Sequence, residues 1–441
     1  MRFDINETLL RHVATGGGAA YKLRQDTNNL LPDLVAEFLA ARSDVTRLVR
    51  ANAVANAILA VHDFRDIMVV RDIVAQQELR RLIQYGRQQD HTAHTVYLYL
   101  LGVWFFDHVS DVQTAVTNKC STRSSDEVCT WFLYQWMFAS LLHDIGYAFF
   151  DLSPDTQIHR KEIDDIYSWQ TIETLFGPPK PASGRMLEAA DMDKLRKVHE
   201  RWTASYRHTS MLRDLNSPAD IVNCLAQAPW LGDLDASWRG KDVLQVLSLQ
   251  GDELRQYALH VASHGYVAGQ QGYVDHAVAS GLLLFQYVSY WYWLLAELRA
   301  DAGVFAKVSG GHDYELSKVQ NWVVEACTAV AYHNVLRSVP GADKILNRVT
   351  LKGHPILYLA IVCDELQVWD RYPAGHAALE KFAETAKGAI EGSDLELMCE
   401  GTGPTTACVR VWHPQSADIV GKRRKTLLDK IPDYEKIVTV R

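Results

Sequence analysis

Trp136-Met137-Phe138-Ala139-Ser140-Leu141-Leu142-His143-Asp144-Ile145-Gly146-Tyr147 is a helical apolar run that ends on an imidazole and a carboxylate. Adjacent residues of a helix point about 100° apart around its axis. Both side chains can still reach one cation lying over that edge, where the helix stops at Gly146. Nitrogen and oxygen donors together suit a borderline divalent transition metal better than an ion that prefers an all-oxygen cage.

Other ionisable residues interrupt apolar stretches in the same way. His91 and His94 lie at i and i+3 in Asp90-His91-Thr92-Ala93-His94-Thr95-Val96-Tyr97-Leu98, on one helical face. His276 follows Asp275, His333 follows Ala329-Val330-Ala331-Tyr332, and Asp364 follows Ala360-Ile361-Val362-Cys363. Burying any of these groups unpaired would cost several kcal/mol. A shared metal would satisfy all of them together.

The order His94, His143-Asp144, His276, His333, Asp364 resembles the HD-domain superfamily of metal-dependent phosphohydrolases. The family pattern is a histidine, a His-Asp doublet and a distant aspartate, with two further histidines in its two-metal members. Leu141-Leu142-His143-Asp144-Ile145-Gly146 matches the doublet, His94-Thr95 the first histidine, and Cys363-Asp364-Glu365 the terminal aspartate. His276 and His333 match by order and by their apolar flanks. The resemblance spans roughly Arg87 to Arg371, around an insertion. Two departures stand out. Tyr147 occupies the region where many members carry a phosphate-contacting lysine, and no Gly-Tyr-Pro signature of the cyclic-dinucleotide phosphodiesterases follows the doublet.

The resemblance implies that His94, His143 and Asp364 hold one metal, that His276 and His333 hold a second, and that Asp144 bridges them. With only the first four ligands the site would be mononuclear. A metal hydroxide would attack phosphorus in a phosphate ester or anhydride, the substrate class being a small phosphorylated molecule such as a nucleotide. Mn, Fe, Co, Ni and Zn are not distinguished. His91 competes with His94 for the first ligand position; the one that does not ligate is a catalytic or substrate contact beside Asp144. Arg87, Arg371 and Tyr147 are the substrate-binding candidates, the two arginines as phosphate clamps or else as ordinary surface ion pairs. Asp90, Asp275 and Asn334 would either orient neighbouring imidazoles or cap helices. His260 and His264 are weaker general-acid candidates. A non-catalytic nucleotide-sensing or scaffold protein, and a di-iron oxygenase, are the alternatives from other classes.

Composition reads as that of an ordered globular protein. The chain has 441 residues, 48% hydrophobic and 22% charged, and the formal net charge of -8 argues against a nucleic-acid-coating surface. Seven cysteines without a Cys-x-x-Cys pair read as reduced core residues of a cytoplasmic protein. The N-terminus has no signal-peptide core. Gly281–Ala296 is marginal in length for a membrane span, contains Gln286 and Ser289, and is better explained as a helix buried on all sides, with no membrane partner.

The expected fold is mainly α. A helical region at 1–86 precedes an HD-type core at 87–390, which carries a helical insertion at about 151–251, and a small α+β region follows at 391–441. The insertion would serve as a lid or as a homo-oligomer contact. Helices are expected at Leu30–Phe38, Arg47–Leu59, Thr92–Phe106 and Glu127–Ile145, and another at Lys422–Lys430. The last of these faces solvent with the basic run Lys422–Lys425. Gly16-Gly17-Gly18 reads as a turn and not a phosphate loop, because no Lys-Ser/Thr follows and no strand precedes it.

Overall fold

The computed structural model describes residues 5–41, 43–61, 71–76, 78, 91–120, 124–149, 154–177, 185–206, 212–267, 269–310, 314–367, 394–400, 406–412 and 416–440. The fold is mainly α. The first four helices are α1 (Ile5–Thr15), α2 (Gly18–Asp26), α3 (Leu31–Leu39) and α4 (Asp44–Val61), and a helical segment follows at 71–76. Three helices then lead to the doublet: α5 (His91–His108), α6 (Ser110–Lys119) and α7 (Ser125–Leu141). The stretch 154–226, expected as an insertion, supplies α8 (Pro154–Asp165), α9 (Trp169–Phe176), α10 (Ala189–Tyr206) and α11 (Pro218–Ala226). Beyond it come α12 (Glu253–His264), α13 (His276–Leu298), α14 (Ala302–Ser309), α15 (Val324–Tyr332) and α16 (Pro355–Leu366).

Helix α13 is the axis of the molecule. Every residue from His276 to Leu295 is buried, which needs protein on all sides of the helix. Helix α15 and the segment after the doublet pack on it, and α10 and α11 cover it from the insertion side. Each fully buried leucine or phenylalanine along it contributes roughly 1.5–3 kcal/mol. Gln286, a polar residue in its middle, donates through Nε2 to the carbonyls of Leu225 and Gln227, both at 2.6 Å, and so ties α13 to the end of α11. No helix among the described residues is long and apolar enough to cross a membrane. The described cysteines Cys120, Cys129, Cys224, Cys327, Cys363 and Cys408 form no disulfide.

The glycine run enters α2 as a turn, with Gly18 at φ 56°. The helix N-terminus it opens is filled from within the chain. The Asp107 carboxylate, at the end of α5, accepts from Ala19 N at 2.7 Å and Ala20 N at 3.0 Å, and lies 3.1 Å from His12 Nε2. A Cβ on residue 18 would stand 2.2 Å from Asp107 Oδ1, so only glycine fits there. An internal carboxylate thus takes the place of an external phosphate.

Helix α6 stands between α5 and α7, where the helical pattern of the sequence marks no element. Ser124 caps α7 as expected, accepting from Glu127 N. After residue 393, strands β1 (Asp394–Glu400) and β2 (Thr406–Trp412) pair antiparallel, and β3 (Val438–Val440) joins β2 in parallel. Helix α17 (Ser416–Lys430) crosses between β2 and β3 and packs on α16. The boundaries expected at 86/87 and 390/391 lie outside the described residues.

Candidate metal centre

The doublet sits in a turn and not on a helix. Helix α7 stops at Leu141, Leu142 N closes its last turn on Phe138 O, and a 3-10 helix takes over at Ile145–Phe149. This corrects the expectation of a helix running to Ile145. The reason is local: His143 Nδ1 donates to Ser140 O at 2.7 Å, so a side chain occupies a carbonyl of the last helical turn. The same bond places the remaining lone pair on Nε2 and fixes the ring.

Gly146 lets α13 approach. A Cβ there would lie 2.0 Å from His276 O and 2.6 Å from Ser280 N. Gly146 N instead donates to Ser280 Oγ at 2.7 Å, and Ser280 Oγ donates to His276 O at the same distance. The first turn of α13, with His276 at its head, is therefore pinned against the doublet.

Two donor groups form around Asp144. His94, His143 and Asp144 make one, and Asp144, His276 and His333 make the other; in each, the donor atoms lie within 4.8 Å of one another and all the residues are buried. The carboxylate divides between them. Oδ2 is 3.4 Å from His143 Nε2, whereas Oδ1 is 3.6 Å from His276 Nε2 and 3.9 Å from His333 Nε2. Asp364 joins the first group, with Oδ1 2.9 Å from His94 Nε2 and 3.9 Å from His143 Nε2. Helix packing explains the convergence: α5 lies against α7 and α16, and α15 lies against α7, α13 and α16.

Local hydrogen bonds aim the imidazoles at the cluster. His333 Nδ1 donates to Val330 O at 2.7 Å, repeating the His143 arrangement and leaving Nε2 for the cluster. His94 Nδ1 pairs with Gln367 Oε1. Burial, followed by His143, lowers His333 to about 4. Burial also pulls His276 well below the ordinary histidine value, against the opposing pull of Asp144. Burial alone would raise the Asp144 carboxyl, but the His143, His91 and His276 imidazoles outweigh it and hold Asp144 well below the usual carboxylate range. A buried carboxylate among buried imidazoles suits a divalent cation. His143 Nε2 supports that fit directly, being buried with no hydrogen bond to any described residue.

His91 and Tyr147 form the rim. His91 Nδ1 is 3.0 Å from Asp144 Oδ2, and its side chain is 18% exposed where that of His94 is 1% exposed. His94 is thus the enclosed member of the pair and His91 the accessible one. The Tyr147 ring stacks between two imidazoles, 3.7 Å from His91 and 4.1 Å from His276. With both faces covered it offers no stacking surface for a nucleobase.

Other candidates fall elsewhere. Asp275 caps α13, accepting from Val278 N at 2.9 Å and from the hydroxyls of Tyr266 and Tyr257 at 2.7 and 3.3 Å; burial raises its carboxyl above the ordinary value. Asn334 donates to the same Tyr266 hydroxyl. Both residues brace helix ends and not imidazole rings. His260 and His264 stack on each other at 4.8 Å and belong to neither donor group. Arg87, Asp90 and Arg371 lie outside the described residues.

Sequence reasoning missed the braces behind the ligands. Buried Arg71 donates through Nη1 to Leu141 O at 2.6 Å and Thr95 Oγ1 at 2.8 Å, and through Nη2 to Thr92 O at 2.8 Å. Buried Glu78 accepts from Thr92 N. The available signal was Arg71-Asp72, a charged pair opening the apolar stretch Ile73-Val74-Ala75.

The chain matches no protein-family model, no curated protein and no solved structure.

Proposed function

We propose that this chain is an HD-type, two-metal phosphohydrolase acting on a phosphate ester or anhydride, with nucleotides as the leading substrate class. The observation that carries the reading is the division of Asp144, one carboxylate oxygen toward His143 and the other toward His276 and His333. A carboxylate shared in this way would suit a pair of cations acting together in an in-line phosphoryl displacement. His94, His143 and Asp364 would hold the first ion, and His276 and His333 the second, with Asp144 common to both. Bound there, divalent transition-metal ions would supply Lewis acidity and an activated water.

The chain's own residues do the rest. Hydrogen bonds from Nδ1 of His143 and His333 to backbone carbonyls orient both rings before any ion arrives, which lowers the cost of assembling the site. His91, partly exposed and hydrogen-bonded to Asp144, is the proton-transfer group at the substrate side. Tyr147 restrains His91 and His276 by stacking on both.

That same tyrosine favours a second reading. It stands in the region where the resembled hydrolases carry a phosphate-contacting lysine, so a non-phosphate substrate, as in a di-iron oxygenase of this superfamily, competes with a nucleotide. The test is to load the metal-free protein with Mn, Co or Fe(II), then measure phosphate release from a nucleotide and phosphate-ester panel beside oxygen uptake by the iron form. Phosphate release that disappears in Asp144→Asn supports the hydrolase. Oxygen uptake alone moves the assignment to the second reading. A protein that binds metal and does neither is a binding or scaffold protein.

A further inference from the structure

Helix α17 ends at Lys430, and this lysine points into the protein. It is 4% exposed, and its Nζ lies 2.7 Å from Glu365 Oε1 and donates to the His333 carbonyl at 3.4 Å. Glu365 follows the first-ion ligand Asp364 in sequence, and His333 is itself a second-ion ligand at the C-terminal end of α15. One ammonium therefore touches both segments that carry candidate ligands. A buried lysine is retained only when paired, and a cation at a helix C-terminus is favourably placed.

Neighbouring contacts make this docking specific. Arg337 Nε donates to Asp429 O at 2.7 Å, and the Tyr358 hydroxyl donates to Asp433 O at 2.9 Å. These bonds tie the end of α17 to the turn after His333 and to α16. Leu427, Ile431 and Tyr434 join the same hydrophobic core as the ligand helices.

We infer that Lys430 is a positioning residue of the metal centre, so that the ion on the His333 side depends on the C-terminal α+β region. The inference rests on the two-metal reading. His333 aims its Nε2 through two restraints, the ring bond to Val330 O and the backbone bond from Lys430. Removing the second frees the end of α15 while leaving every ligand side chain in place. Asp364 feels the lysine only through its neighbour Glu365, so the first ion is the less affected.

The experiment is Co(II) titration of the metal-free full chain, followed by calorimetry and by the visible ligand-field bands, which report coordination geometry. Wild type, Lys430→Met, Lys430→Arg and the double variant Lys430→Met/Glu365→Met are compared. The double variant removes the pair without stranding one buried charge, so it folds where the single variant fails. The expected result is two ions in wild type, with the second bound at least tenfold more weakly and with altered bands in the Met variants. Lys430→Arg should recover most of that binding.

Met variants that bind both ions with wild-type affinity and spectrum overturn the role of Lys430 and leave the metal centre standing. Wild type that takes up no Co(II) removes both. If neither Met variant folds, Lys430 is a stability determinant of the whole fold, and the specific role is refuted.

Discussion

Arg71 Nη1 donates to the Leu141 carbonyl at 2.6 Å, and this single bond ties residue 71 to the helix end that leads into the His143-Asp144 doublet. Leu141 is the last residue of α7, two positions before His143, and the same guanidinium holds Thr92 O and Thr95 Oγ1 beside His94. Burial draws the guanidinium down to about 10 against the opposing pull of Glu78 and Asp72, so it stays charged at neutral pH. Arg71→Met would leave three acceptors without this donor and Glu78 without a nearby buried cation. A loss of about 3–5 kcal/mol is expected, with Arg71→Lys intermediate, measured by urea unfolding of the metal-free protein. A loss below about 1 kcal/mol would mean that the clamp carries no stability.

The two donor groups can be separated by their private ligands. His94→Ala should leave one ion per chain by elemental analysis, and His276→Ala should also leave one. Asp144→Asn, which alters the shared group, should leave none. Loss of all metal in both histidine variants would instead indicate a single ion held by the whole set.

Metal should also stabilise the native chain. If both sites exist only in the folded state, an ion at one hundred times its dissociation constant adds about 2.7 kcal/mol per site. The melting temperature of the metal-free protein should rise on Co(II) or Mn(II) addition and fall again with chelator. The rise should be absent in Asp144→Asn. An equal rise in that variant would place the stabilising ion elsewhere.

Gly146→Ala puts a methyl against backbone and not against a yielding side chain: His276 O at 2.0 Å and Ser280 N at 2.6 Å. The head of α13 must move. Destabilisation of about 1–3 kcal/mol is expected, together with weaker binding at the His276 side only. An unchanged melting temperature with two ions bound would show that α13 has room to shift.

Asp107 offers a control remote from the ligands. Asp107→Ala leaves Ala19 N and Ala20 N without their acceptor and should cost about 1–3 kcal/mol in chemical unfolding, while the metal content stays at the wild-type value. A drop in metal content would show that the α2 end of α5 is coupled to its ligand end.

Much of this architecture follows from local rules. Helical periodicity and caps placed most of α3, α4, α5 and α17, and β-rich composition with turn residues marked β1, β2 and β3. The glycine run was legible as a turn because the chemistry of a phosphate loop is missing around it. Where the periodic pattern failed, a specific side-chain hydrogen bond had changed the outcome. Helix α7 ends early because His143 takes up a carbonyl of its last turn, and α13 meets the doublet closely because Gly146 and Ser280 bond across 134 positions.

The sequence by itself determined which residues are costly to bury: His94, His143, Asp144, His276, His333 and Asp364 each stand in apolar surroundings that demand a partner. Only the tertiary structure decided who the partners are. The orientation of Asp144 between His143 and the pair His276 and His333, the separation of His91 from His94 by exposure, and the bracing by Arg71 and Lys430 all depend on how α5, α7, α13, α15, α16 and α17 pack. Desolvation cost is a property of a residue and its flanks, whereas hydrogen-bond direction and donor spacing exist only between segments far apart in the chain.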